Sequence, residues 1–416
     1  MRFSQVILCA LAMLVSTASA QLLPAQLPDI PPHFPRMPVE EAVDPLARTL
    51  ASGSDALHGY RRQLQDLLRS DRARVARTPR GDLMLRSEYL AIDAVNETLR
   101  GAAAAGFIVE RDVDDELGFS LTLLRDARSR SPVRGLRALR EAMPGVEVEF
   151  NHVYMQAGSA ARSQPSGDAG PRTRIRVGLV DGGVDATLPV FSRIDVRRHG
   201  CDGSAIPQRH GTQVARRLAG DATGTLYAAD LWCGQRIGGG TLGLVDALRW
   251  MARERVAVVN ISLVGPDDRV LRRMIEAMHA RGHVLVAAAG NDGPAAAALF
   301  PAAYPGVIAV AAVDAKRRPL PESAAGAHID ICAPGVIDAT RDGRGTSFAA
   351  PLVARRVAGY WTAPAPGLAD DALQRLERDI VDNGKPGRDP RCGSGVMSPS
   401  AMSPSAMSSS MTSPRK

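Results

Sequence analysis

Between residues 175 and 313 the chain alternates short runs that are apolar at most positions with segments of helical spacing. The runs fall at 175–180, 225–232, 256–261, 284–288 and 307–313, and the helical segments at 210–218, 242–253 and 270–281. A strand that is apolar throughout, rather than at every second residue, must be covered on both faces. That is the situation of a parallel sheet flanked by helices. The expectation is an α/β fold with a parallel sheet and helices on both faces. Sheets of this kind place their sites beyond the carboxyl ends of the strands.

Three residues at such positions carry chemistry. Asp181, in Leu179-Val-Asp-Gly-Gly-Val-Asp185, stands just past the first buried run. His210, in Gln208-Arg-His-Gly-Thr-Gln-Val-Ala215, stands at the mouth of a helix. Ser347, in Asp342-Gly-Arg-Gly-Thr-Ser-Phe-Ala-Ala-Pro351, follows two glycines and opens an Ala-rich helix. Pro351 is expected within the first turn of that helix, where its missing N–H costs nothing. A serine hydroxyl needs a base to become a nucleophile near neutral pH, and imidazole has the right pKa. The imidazole in turn needs a buried carboxylate to fix its tautomer. A helix N-terminus beside the serine favours a developing oxyanion. Singly, each residue has a plain structural use as a cap, a turn acceptor or a buried polar group; their combination points to nucleophilic catalysis.

The first residues bound the compartment. Arg2, an apolar run over 6–15 and Ser-Thr-Ala-Ser-Ala20 form a signal-peptide pattern with cleavage expected after Ala20, in a protein secreted or periplasmic. The run is too short for a permanent membrane anchor. Beyond it stand Cys201, Cys233, Cys332 and Cys392, and an even count in an exported chain favours disulfides. Strand ends favour Cys201 with Cys233, which leaves Cys332 with Cys392, although four cysteines allow three pairings. No Cys-x-x-Cys or His-Glu-x-x-His spacing suggests zinc. The net charge of +7 is almost all arginine and is not interleaved with aromatics, so no nucleic-acid partner is expected.

The chain divides by pattern. Residues 21–82 comprise a Pro-rich lead and a basic helical arm whose charged residues read as a solvated face. Residues 83–156 read as strand, helix, two strands, helix and a last strand over 146–154, a ferredoxin-like β-α-β-β-α-β module. Residues 157–172 are small and polar, hence a linker; 173–397 hold the α/β domain; 398–416 are a low-complexity Met/Ser/Pro tail expected to be disordered.

The segments around Asp181, His210 and Ser347, in that chain order, resemble a subtilisin-like serine protease. Ala287-Ala-Ala-Gly-Asn-Asp-Gly293 resembles the family's oxyanion segment, and Val259-Asn-Ile-Ser-Leu-Val-Gly265 its substrate-pairing strand. The resemblance covers roughly 174–397. It implies that Asp181, His210 and Ser347 form the triad, that Asn291 donates to the oxyanion, and that Ser262, Leu263, Val264, Gly265, Ala288, Ala289 and Gly290 bind protein or peptide substrates. It also implies that 83–156 is a propeptide acting as an intramolecular inhibitor, with the strand at 146–154 running into the cleft and a self-cleavage between about 154 and 161. Two departures carry consequences. The chain between His210 and Tyr227 is too short for the family's tight calcium loop, so no cofactor is expected, weaker calcium sites apart. Val264 stands where the family usually has glycine and should narrow the pocket for the residue before the cut. A monomer is expected. The rival readings are a non-catalytic secreted binding protein on the same fold and a basic nucleic-acid-binding protein.

Overall fold

The computed structural model describes residues 59–113, 118–158, 174–338, 343–384 and 386–398. The signal peptide, the Pro-rich lead up to residue 58, nearly all of the linker and the tail beyond Ser398 lie outside the described residues.

The N-terminal part runs α1 (Gly59–Ser70), β1 (Val75–Arg77), β2 (Leu83–Ile92), α2 (Asn96–Ala104), β3 (Phe107–Val113), β4 (Leu121–Asp126), α3 (Pro132–Ala142) and β5 (Glu147–His152). Strands pair antiparallel in the order β5-β2-β4-β3, the order of a split β-α-β-β-α-β unit, and β1 is added against the first half of β2. Its own core gathers Tyr89, Phe107, Leu124, Leu139, Met143 and Phe150. Gly135 on α3 has no side chain because the Tyr89 ring fills the space, a methyl there falling 2.0 Å from the phenol oxygen.

The helical arm differs from the expected solvated helix. Tyr60, Leu64 and Leu67 recur at spacings of four and three, which puts them on one face of α1, and all are buried. The Tyr60 amide donates to Asp292 Oδ1 at 2.6 Å, next to Asn291, so the arm is docked on the α/β domain with its arginines turned outward.

The last N-terminal strand also differs. It is not continuous over 146–154: β5 ends at His152, and the chain crosses to the α/β domain through Val153 and Tyr154 before β6 (Met155–Gln156). Side chains explain the exit. His152 Nδ1 lies 2.8 Å from Asp268 Oδ2, and the Tyr154 hydroxyl donates to the Pro266 carbonyl at 3.1 Å, both partners belonging to the second domain.

That domain continues with β7 (Arg174–Asp181), β8 (Ile194–His199), α4 (Arg209–Ala219), β9 (Thr223–Asp230), α5 (Gly240–Arg253), β10 (Val258–Ile261), β11 (Leu263–Val264), α6 (Arg269–Ala280), β12 (Val284–Ala288), β13 (Val307–Val313), β14 (Ile331–Pro334), α7 (Thr346–Ala358), α8 (Leu368–Leu376), β15 (Ile380–Val381) and β16 (Val396–Met397). The large sheet has the order β15-β16-β14-β13-β12-β10-β7-β9-β8 and is parallel except for β15. From β7 the chain goes first to the edge strand β8, inserts β9 between β8 and β7, and then lays β10 on the other side of β7. The strand order therefore reverses at β7, whose last residue is Asp181. Disulfides join Cys201 to Cys233 and Cys332 to Cys392.

Candidate active site

The three sequence-predicted residues converge from different elements. Asp181 ends β7 and is fully buried. His210 is the second residue of α4, and its Nδ1 lies 2.9 Å from Asp181 Oδ1. The same carboxylate oxygen accepts from the Gly182 amide at 2.6 Å, which fixes its orientation. Ser347 is the second residue of α7, after Gly345 as N-cap. Neither Ser347 Oγ nor His210 Nε2 has a hydrogen-bond partner among the described residues, and both face Gly158. A methyl group built on Gly158 would lie 2.8 Å from Ser347 Oγ, 3.7 Å from His210 Nε2 and 3.8 Å from Asn291 Nδ2.

Asn291 donates through Nδ2 to the carbonyl oxygen of Ala157. Its own Oδ1 accepts from the Thr346 amide at 2.9 Å, so the helix that carries Ser347 also aims the amide. Thr346 Oγ1 accepts from Gly290 N at 3.1 Å, tying the segment that carries Asn291 to the same helix end a second time. Gly345 is required twice over: its φ is +143°, and a methyl there would lie 2.8 Å from Asn291 Nδ2.

The predicted substrate-binding residues separate into two groups. Leu263 and Val264 of β11 pair antiparallel with Gln156 and Met155, and the Ser262 carbonyl accepts from Ala157 N at 3.0 Å. Gly265 lies under the Tyr154 ring, where a methyl would fall 2.3 Å from a ring carbon. Residues 154–157 thus lie as an added strand on this edge, as a substrate does in β-augmentation. Gly290 faces Val264 across a narrow gap, a methyl on it reaching 3.8 Å from Val264 Cγ1 and 3.2 Å from Leu299 Cδ1. Ala288 and Ala289 serve differently: both are wholly buried, and Ala289 packs with Ala311, Val313 and Cys332 behind the cleft.

Pro351 departs from its expected place. The helix begins at Thr346, so Pro351 is its sixth residue and not part of the first turn. Its missing N–H would have served the carbonyl four residues back, that of Ser347. Ser262 Oγ donates there instead, at 3.3 Å, and itself accepts from Asn260 Nδ2 at 2.9 Å.

Arg217, which had no role legible in the sequence, links the His and Ser helices. From α4 its guanidinium donates to the Phe348 carbonyl at 3.1 Å and to the Pro334 carbonyl. Burial, with Arg355 nearby, pulls its pKa down to about 10, still far above neutrality.

Comparison with known proteins agrees with this geometry. Residues 173–395 match the Subtilase family (Peptidase_S8), and the chain belongs to that family of subtilisin-like serine proteases. It is 33% identical over 206 residues to subtilisin DY of Bacillus licheniformis, covering 43% of this chain and 74% of that protein. It is 30% identical over 211 residues to subtilisin E of Bacillus subtilis (strain 168), covering 44% of this chain and 54% of that protein. The crystal structure of fervidolysin from Fervidobacterium pennivorans, a keratinolytic enzyme related to subtilisin, superposes with a TM-score of 0.61 at 18% identity, covering 77% of this chain and 61% of that one. That likeness establishes a shared fold.

Proposed function

We propose that this protein is an exported serine endopeptidase that cuts its own chain between Ala157 and Gly158 and is then held inhibited by the module it has released. The observation that carries the reading is the Asn291 amide donating to the Ala157 carbonyl oxygen, with Ser347 Oγ and His210 Nε2 unpartnered beside Gly158. Ser347 Oγ attacks the Ala157 carbonyl carbon as its proton passes to His210 Nε2, and Asp181 Oδ1 holds the opposite ring nitrogen. The oxyanion collects the Asn291 N–H, already aimed by Thr346, so little reorganisation is needed as charge develops. Collapse breaks the C–N bond, the imidazolium returns its proton to the Gly158 amine, and Ala157 remains as an acyl-enzyme. Water, deprotonated by His210, then frees Ser347. The strand at 154–157 stays paired to β11 as a product would, which supports inhibition by the N-terminal module.

The mature end would begin in small, polar sequence able to move away from the cleft. Treating the secreted protein with a sulfonyl fluoride tests the assignment. Covalent mass on the peptide containing Ser347, together with a new N-terminus at Gly158, is the expected result. An unlabelled chain still intact across Ala157-Gly158 would instead mark a binding protein on a protease fold.

A further inference from the structure

The side chain of Gln156, two residues before Gly158, does not point to solvent. Its Nε2 donates to Asp181 Oδ1 at 3.1 Å and to Gln208 Oε1 at 3.3 Å. Gln208 immediately precedes the helix that carries His210 and is half-buried. An ionised carboxylate only accepts, so Asp181 settles which end of the Gln156 amide faces inward, and Gln208 must then present its oxygen. Gly182 makes the room. Its φ lies outside the left-handed region, so no turn demands glycine there. A methyl on it would fall 2.1 Å from Gln208 Oε1 and 3.0 Å from Gln156 Nε2.

We infer that the subsite for the second residue before the cut is built to read a carboxamide, and that Gln208 is its specificity-determining residue. The inference rests on the endopeptidase reading above. A substrate glutamine there satisfies both acceptors with one N–H₂ group. Leucine, of similar size, offers neither donor, and glutamate sets a second carboxylate against Asp181. The favoured substrates are therefore peptides carrying Gln, followed by a small residue, at the cut.

The test uses fluorogenic peptides Tyr-Met-X-Ala-Gly-Ser with X as Gln, Leu, Ala or Glu, cut by the secreted wild-type protein and by Gln208→Leu. Wild type is expected to favour Gln over Leu about tenfold in kcat/KM, the scale of a half-exposed polar pair, with Glu cut most slowly. Gln208→Leu should lower the Gln-to-Leu ratio severalfold, leaving the share that Asp181 contributes. Because the ratio is taken within each variant, a general loss of activity cancels. Cleavage with equal rates for Gln and Leu in wild type, or a ratio unchanged in Gln208→Leu, overturns the inference and leaves the protease reading standing. Cleavage of none of the peptides, with no labelling of Ser347, overturns both.

Discussion

Pro351 and Ser262 act on the same atom: the proline withholds an N–H from the Ser347 carbonyl, and Ser262 Oγ supplies a hydroxyl to it at 3.3 Å. The helix thereby exchanges an internal bond for one that reaches the substrate-pairing edge. Ser262→Ala should leave a buried carbonyl without a donor and lower stability by about 1–2 kcal/mol. In a Pro351→Ala background an N–H is available, and the same change should cost less. Urea unfolding of the four proteins of that double-mutant cycle, in a Ser347→Ala background to stop digestion, measures the coupling. Strictly additive losses would argue that the two residues are independent.

Replacing the proposed nucleophile separates folding from chemistry. Ser347→Ala should persist as one chain across Ala157-Gly158, whereas wild type should appear as fragments. Asn291→Ala should still fold yet turn over slowly. For subtilisin, itself a relative of this chain, loss of that donor costs on the order of 10²–10³ in kcat. Intact mass and peptide kinetics read both, and processing by Ser347→Ala at the wild-type rate would rule out Ser347 as the nucleophile.

How much of this was legible beforehand follows from which side chains announce themselves. The strands at 284–288 and 307–313 and the positions of Asp181, His210 and Ser347 were readable because apolar runs and a hydroxyl–imidazole–carboxylate set are local signals. Two strands were not: Ile194–His199, at the sheet edge, alternates charge with apolar residues, and Ile331–Pro334, inside the sheet between β16 and β13, is only four residues long and ends in proline. The face of α1 was obscured by arginines that mask Tyr60, Leu64 and Leu67. Arg217 and Ser262 act through backbone carbonyls distant in sequence, and Gln208 through a partner amide, so no spacing rule could have paired them.

Val264 is expected to narrow the pocket for the residue before the cut. It is buried, and its Cγ1 faces the site that a side chain on Gly290 would need. Small or medium apolar residues before the cut should be preferred over Phe or Tyr by ~1–3 kcal/mol in kcat/KM. Val264→Gly should raise cleavage after Phe relative to Ala. A peptide library cut equally well after Phe by wild type would contradict the expectation.

Metal dependence has an expected outcome too. Helix α4 ends at Ala219 and β9 starts at Thr223, so there is no long loop between them to wrap an ion. Among the described residues, one cluster of metal-ligating side chains is close enough to share an ion, Cys201, Asp230 and Cys233, and its two cysteines are bonded to each other. Incubation with EDTA should leave Tm and peptide cleavage unchanged. A Tm lowered by chelation and restored by calcium would reveal a site elsewhere in the chain.

The grip of the N-terminal module should depend on pH through His152. Its ring is buried between the two parts of the molecule, bonded to Asp268, with Glu149 and Asp82 as the other nearby acidic groups. Burial opposes its charge, but the bond to Asp268 and these carboxylates outweigh it, so its pKa lies above the ordinary 6.5. A histidine whose pKa rises on association favours the associated state below its free value, and that contribution fades as pH climbs through the raised one. Asp268 keeps Thr241 Oγ1 and two helix amides as partners when His152 leaves, so the carboxylate is not stranded. The isolated module should therefore bind and inhibit the processed enzyme more tightly at pH 6 than at pH 8, and His152→Asn should flatten that difference. Inhibition constants for the two modules across this range give the answer. A slope that persists in His152→Asn would assign the pH dependence to another group.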